Sequence, residues 1–161
     1  MISKYMNNKL NKGEQFPVID LSIAGAASLT IPTDINTPYA FVLFYRGHWW
    51  PYCRRQLVGF EKQRDAMADL GISIIAGSVD SEDKSVEVAT DLNFPVAWGM
   101  TREMGDEIGA WWDEDRNFVQ PSEFLITNTG KVLASTYSSS PVGRMDPEDA
   151  LAVAKFIIKR L

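Results

Sequence analysis

Apolar residues fall along this chain in blocks of two kinds. YAFVLFY (39–45) and ISIIAGSV (72–79) are continuous apolar runs of strand length, a pattern that suits strands buried on both faces. Between them the period changes. Leu57, Phe60, Arg64, Met67 and Leu70 fall roughly on one helical stripe, and Gly71 closes it, so the spacing predicts a helix from Pro51 to Leu70. Upstream, FPVIDLSI and SLTIP read as short extended segments, and GAAS between them has turn character, which makes a hairpin. Downstream, SEDKSVEVATDLN opens on a serine cap with early acids and reads as a helix. FPVAWGM follows as a short strand. TREMGDEIGAWW is a weaker helix, since its two glycines lower the propensity. EFLITNTGKVLAST reads as two strands about the turn Asn128-Thr129-Gly130. In DPEDALAVAKFIIKRL, Asp146 is the cap, Pro147 the first helical residue, and basic residues end the helix.

The order is therefore two strands, then β-α-β-α-β-α, then β-β-α. Such alternation implies a mostly parallel central sheet, with antiparallel strands added by the last hairpin: an α/β sandwich. At 161 residues the chain fits one domain, expected over 16–161, behind a polar and loose stretch over 1–15. No repeat or low-complexity tract interrupts it. A net charge of −5 gives no reason to expect nucleic acid, which selects a basic face. No apolar run approaches the ~20 residues of a membrane span. The opening MISKYMNNKLNKGEQ lacks the apolar core of a signal peptide. The expectation is a soluble, cytoplasmic protein that touches neither nucleic acid nor membrane.

One cysteine, Cys53, excludes an intrachain disulfide. It stands in FYRGHWWPYCRRQL beside the single histidine, His48. The stretch runs strand, loop, helix, and Pro51 presets the first helical turn, so Cys53 lies within that turn. Unpaired N–H groups, the helix dipole and the flanking Arg46, Arg54 and Arg55 all favour thiolate, the nucleophilic form. Open α/β folds also place their sites at such strand ends. The plainer reading is a small buried apolar residue, the commonest fate of a lone cysteine. His48 is either a base or charge partner for the thiol or a solvated loop histidine. One histidine and one cysteine do not make a structural zinc site. Arg54, Arg46 and Arg144 are each candidate suppliers of positive charge or plain surface cations. Trp49, Trp50 and Tyr52 form an aromatic wall over the sulfur, or else fill core or a dimer interface. Trp111 and Trp112 end the weak helix, with no role assigned.

At these residues the chain resembles a family. A cysteine opening the first long helix after the first central strand is similar to the thioredoxin fold. The leading FPVIDL resembles its peroxiredoxin branch, the alkyl hydroperoxide reductase/thiol-specific antioxidant superfamily. A peroxiredoxin-like group carries R-G-x-W-C-P-Y-C in this loop; here it reads Arg46-Gly47-His48-Trp49-Trp50-Pro51-Tyr52-Cys53. The resemblance implies a thioredoxin-like three-layer sandwich with a central mixed sheet and an N-terminal β-hairpin. It implies a peroxidase that uses Cys53, needs no cofactor, and takes a small peroxide and an external thiol reductant. Dimers are common in that family, the one ground for expecting a homodimer.

The departures matter as much. Trp50 occupies the place of the first cysteine, and also that of a threonine whose hydroxyl orients peroxide in the family. Arg46 stands where the family has proline. Where it has an arginine before an F-I-I-D strand, this chain has Pro121, which resembles the cis-proline of thioredoxins and is expected to be cis and to face the sulfur, the alternative being an ordinary strand-start proline. With no second cysteine, any cycle is of one-cysteine type: Cys53 oxidises to sulfenic acid and an outside thiol restores it. The rival readings are a redox-silent binding module, which the altered residues fit, and a sensor that couples Cys53 oxidation to a partner.

Overall fold

The structure is a computed structural model and describes residues 9–161. Nine strands and four helices are described, and the sequence pattern accounts for most of them. The N-terminal hairpin forms as β1 (Ile19–Ile23) and β2 (Leu29–Ile31). The two apolar runs become β3 (Tyr39–Phe44) and β4 (Ile72–Gly77), joined through α1 (Pro51–Asp69). Then follow α2 (Glu82–Ala89), β5 (Val96–Trp98), α3 (Arg102–Glu107), β6 (Trp112–Asp113), β7 (Phe118–Val119), β8 (Ser122–Thr127), β9 (Val132–Tyr137) and α4 (Pro147–Ile158). No described helix is long and apolar enough to cross a membrane.

Seven strands form one sheet in the order β2-β1-β5-β4-β3-β8-β9, and β6 and β7 make a separate small hairpin. The inner pairs β3–β4 and β4–β5 are parallel, as βαβ units require; β1–β5, β3–β8 and β8–β9 are antiparallel. The sheet is mixed, as expected. Because β3, β4 and β5 advance in one direction, right-handed crossovers put α1 and α2 on the same face. That face, with α4, buries Phe41, Leu43, Leu57, Phe60, Met67, Val88, Leu125 and Ala154. The opposite face buries Phe16, Val42, Phe44, Phe124 and Ile126 under the N-terminal segment, Ile108 and Val119. Helices, sheet and this second cover make the three layers.

Helix ends follow local chemistry. Ser81 and Asp146 cap α2 and α4 through backbone N–H groups of the first turn, as their sequence positions predict. Gly71 closes α1 at φ +78°, a conformation that favours glycine. Gly59 has a different role: an added Cβ would lie 2.5 Å from Pro147 Cγ, so its lack of a side chain sets how closely α1 meets the start of α4. Gly59→Ala should destabilise the protein by about 1–3 kcal/mol through overpacking, measured by urea unfolding; an unchanged midpoint would mean the helices part without cost.

Three expectations need correction. The weak helix expected over 101–112 stops at Glu107. Gly109 at φ +74° accepts the left-handed cap, and the N–H groups of Gly109 and Ala110 bond back to Asp106 and Gly105, which terminates α3. Trp112 therefore lies in β6, paired with Val119, and the β6–β7 hairpin was not foreseen. Second, residues 9–15 are not loose. Gly13 N–H and Glu14 C=O pair with Val132, the backbone of Leu10 bonds to Tyr137 and Ser135, and Lys9 sits 4.0 Å over the Trp111 ring. The rest of the stretch expected to be loose, residues 1–8, lies outside the described residues. Third, the Gln120–Pro121 bond is trans; the cis bond among the described residues is Ile31–Pro32. Residues 120–121 carry an extended path from β7 into β8, with Gln120 N–H bonded to Trp111 C=O and Pro121 C=O accepting from Ser138. Such a path takes the ordinary trans geometry.

Candidate active site

β3 ends at Phe44, and the chain turns through 45–50 into α1 at the carboxyl edge of the parallel strands. Pro51 opens the helix, and Cys53 sits in its first turn as the sequence predicts. Trp50, in the capping position, has extended backbone and no side-chain cap bond, while its carbonyl accepts the N–H groups of Cys53 and Arg54. The sulfur is fully buried.

Two donors reach that sulfur. Arg144 Nη1 lies 3.0 Å from Cys53 Sγ, and the backbone N–H of Arg46 lies 3.4 Å from it. The first contact is charge-assisted and suits an anionic sulfur. Arg144 is placed by the loop before α4: its Nη2 donates to Pro141 C=O at 2.7 Å, and Trp50 Nε1 donates to the same carbonyl at 2.8 Å. One carbonyl thus ties the Trp50 ring and the Arg144 guanidinium into a cover over Cys53.

Arg46 acts through its backbone. Its side chain is buried, with the guanidinium 4.6–5.4 Å from the ring centres of Trp49, Trp50 and Phe118, and 3.7 Å from Asp113. Burial is the main influence on this guanidinium and works against its charge; Cys53 and Asp113 work for it. The three aromatic rings of this loop are in contact through Trp50, with Trp49 and Tyr52 exposed. Trp50 meets Trp49 edge-on and Tyr52 at a tilt, with centroids 5.8 and 5.6 Å apart. Trp50 is the member packed against the core around Cys53. Tyr52 lies at the surface beneath Arg55.

The remaining candidates stand elsewhere. His48 is held by Asp80, which follows β4: its N–H donates to Oδ2 at 2.8 Å, and its Nδ1 lies 3.2 Å from Oδ1. Asp80 is thus the partner of His48, and Cys53 is not. Arg54 is exposed and faces α2, sharing a surface depression with Val88 and Asp91. Pro121 is buried at the entry to β8 and donates nothing to the sulfur.

Sequence reasoning missed two residues beside Arg144. Glu123 on β8 is completely buried, and its Oε1 accepts from Gln56 Nε2 of α1 at 2.9 Å and from the N–H of Met145. Gln56 also donates to Met145 C=O at 3.0 Å. The available signal was a lone acid inside the apolar strand SEFLI. Two clefts flank the loop, of about 290 and 360 Å³; both are bordered by Arg144, Met145 and Asp146, and neither by Cys53.

Curated proteins named peroxiredoxin match over 141 residues, at 26% identity in Methanocaldococcus jannaschii and 25% in Hyperthermus butylicus. Each match takes in 82% of this chain, which spans 65% and 60% of the length of those relatives. Among solved structures, "Peroxidoxin BcpB" from Mycobacterium tuberculosis superposes with a TM-score of 0.79 at 15% identity, covering 93% of this chain and 97% of the other. Mycobacterium bovis AhpC does so with a TM-score of 0.79 at 18% identity and 95% coverage of both. These structures establish the thioredoxin-like, peroxiredoxin-branch fold. The AhpC/TSA family profile matches residues 13–135, from ahead of the N-terminal hairpin into the last strand and including Cys53 though not Arg144, and on that match the chain belongs to the AhpC/TSA family.

Proposed function

We propose that this protein is a one-cysteine thiol peroxidase with Cys53 as the nucleophile. The observation that carries the reading is the pair of donors on the sulfur, Arg144 Nη1 at 3.0 Å and Arg46 N–H at 3.4 Å. An anionic sulfur held this way has its charge satisfied without solvent. The family and the relatives named peroxiredoxin support the same chemistry.

The Cys53 thiolate attacks one oxygen of the peroxide. An S–O bond forms, the O–O bond breaks, and its electron pair leaves on the other oxygen, which takes a proton to become water or an alcohol. The product is the Cys53 sulfenic acid. Arg144 and Arg46 N–H, already aimed at the sulfur, are placed to stabilise charge as it moves to oxygen. With one cysteine in the chain, an external thiol attacks the sulfenic sulfur, releasing water and leaving a mixed disulfide. A second thiol then frees Cys53 and departs as the reductant's disulfide.

The buried sulfur favours a second reading, a redox-silent or redox-sensing binding module. One experiment separates the two. Reduced protein is mixed with one equivalent of hydrogen peroxide, and Cys53 is trapped with a sulfenic-acid reagent and analysed by mass spectrometry. The peroxidase reading expects full trapping within seconds and repeated turnover with an added thiol. Stoichiometric oxidation without turnover marks a sensor, and an unmodified Cys53 marks a silent module.

A further inference from the structure

We infer that Glu123 is a positioning residue for Arg144, and through it for Cys53, and that a single proton on its carboxyl decides how firmly Arg144 is held against the sulfur. The role in catalysis rests on the peroxidase reading; the proton-dependent contact itself does not.

Three buried atoms carry this inference. Glu123 Oε2, Gln56 Oε1 and Arg144 Nε have no hydrogen-bond partner among the described residues. All three belong to one network, because Glu123 Oε1 is bonded to Gln56 and to the backbone N–H next to Arg144. If the carboxyl is ionised, Oε2 and Gln56 Oε1 are both acceptors, and two buried acceptors lack a donor. One proton on Oε2 changes that count. The acid becomes a donor, and the amide oxygen of Gln56, whose nitrogen already contacts the same carboxyl, is its acceptor. When that proton leaves, Oε2 is a charged acceptor in a buried site, and Arg144 Nε is a buried donor with no partner among the described residues. The guanidinium is then shared between Glu123 and Cys53, and its contact with the sulfur weakens.

Among the described residues Asp146 and Asp149 border the cleft beside Arg144, but neither is bonded to Glu123. Across the sheet, Glu123 pairs with Leu43 of β3 and Thr136 of β9. α1 brings Gln56 and, beyond Arg144, Cys53. Asp146 at the start of α4 is committed to capping Glu148 and Asp149. Arg144 is the charged side chain that acts on the carboxyl. Burial pushes the Glu123 carboxyl up from the ordinary 4.5 to about 7, against the bonds from Met145 and Gln56 and the charge of Arg144. The exchange therefore falls in the neutral range. The sign for stability follows: between 4.5 and about 7 the native state holds a proton that the unfolded chain has lost, so stability declines as pH rises through that window and levels off above it.

The test compares wild type with Glu123→Gln, which keeps the shape and cannot ionise. In wild type carrying 13C-labelled glutamate, the infrared band of a protonated, buried carboxylic acid should fade with a midpoint near 7 and be missing in the variant. Rates of Cys53 with hydrogen peroxide and with iodoacetamide are measured from pH 6 to 8.5. The ratio of variant to wild type should rise by about tenfold across that range, the effect of one weakened charge-assisted hydrogen bond. A ratio that stays flat with both reagents overturns the positioning role. A ratio that rises with iodoacetamide while neither protein reacts with peroxide upholds it and overturns the peroxidase reading instead. If the variant does not fold, the wild-type band still decides, since a glutamate band that does not titrate near neutrality sinks the inference.

Discussion

Replacing Arg144 with alanine is expected to slow the reaction of Cys53 with hydrogen peroxide by about 100-fold. Among the described residues the guanidinium is the one side chain that donates to the sulfur, at 3.0 Å, and that sulfur is itself fully buried beneath the half-buried Arg144. Its removal leaves Cys53 with the Arg46 N–H alone. It also unties the cover, because Arg144 Nη2 and Trp50 Nε1 share the Pro141 carbonyl. Looser cover admits more peroxide, which works against the loss, but lost charge stabilisation acts on every encounter and dominates. Arg144→Lys should recover only part of the rate, since an ammonium is a point donor that does not span Sγ and Pro141 as a planar fork does. Arg54→Ala, at an exposed position facing α2, should change the rate by less than about twofold. Stopped-flow tryptophan fluorescence follows all three. An Arg144→Ala protein that reacts within about threefold of wild type would remove this guanidinium from the mechanism.

Phe124→Ala is expected to cost about 3–5 kcal/mol of stability, enough to leave many domains of this size partly unfolded. The ring is completely buried and meets Phe16, Phe44 and Tyr137 edge-on, with centroids 5.2, 6.2 and 5.4 Å away. Those partners come from the N-terminal segment, β3 and β9, so one cavity loosens three separate parts of the chain. Calorimetry should show a melting point lower by about 6–20 °C, and Phe124→Leu, which keeps most of the volume, should fall by less than half as much. If Phe124→Ala melts within about 2 °C of wild type, the layer that joins the N-terminal segment to the sheet repacks freely.

Much of this was legible in the sequence, for reasons that can be named. The runs YAFVLFY and ISIIAGSV announced β3 and β4 because strands covered on both faces have no polar alternation to hide them. Pro51 fixed where α1 starts, and with it the place of Cys53 in the first turn. The β6–β7 hairpin escaped because its strands are two residues long, too short for any period to show. The site was legible only as far as the chain is local. Arg46 and Trp50 lie within seven residues of the cysteine and stand out as neighbours, although Arg46 reaches the sulfur through its backbone N–H rather than its charge. Arg144 was one of several cations of equal standing, since 91 residues separate it from Cys53 and only the path of the loop before α4 brings them together. Asp80 carries no sequence signal for the same reason: a loop at the end of another strand delivers it to His48. Pro121 misled because a proline before a strand serves equally well in an extended passage.

The cover tied at Pro141 has a consequence for the order of events. A fully buried sulfur covered by a tryptophan and an arginine meets a reactant only while that closure is broken. On the peroxidase reading the same wait applies to a second peroxide approaching the sulfenic acid, the step toward irreversible over-oxidation. It applies again to the reducing thiol, which is bulkier and requires a wider breach. On the peroxidase reading, oxidant and reductant therefore pass the same latch to reach Cys53.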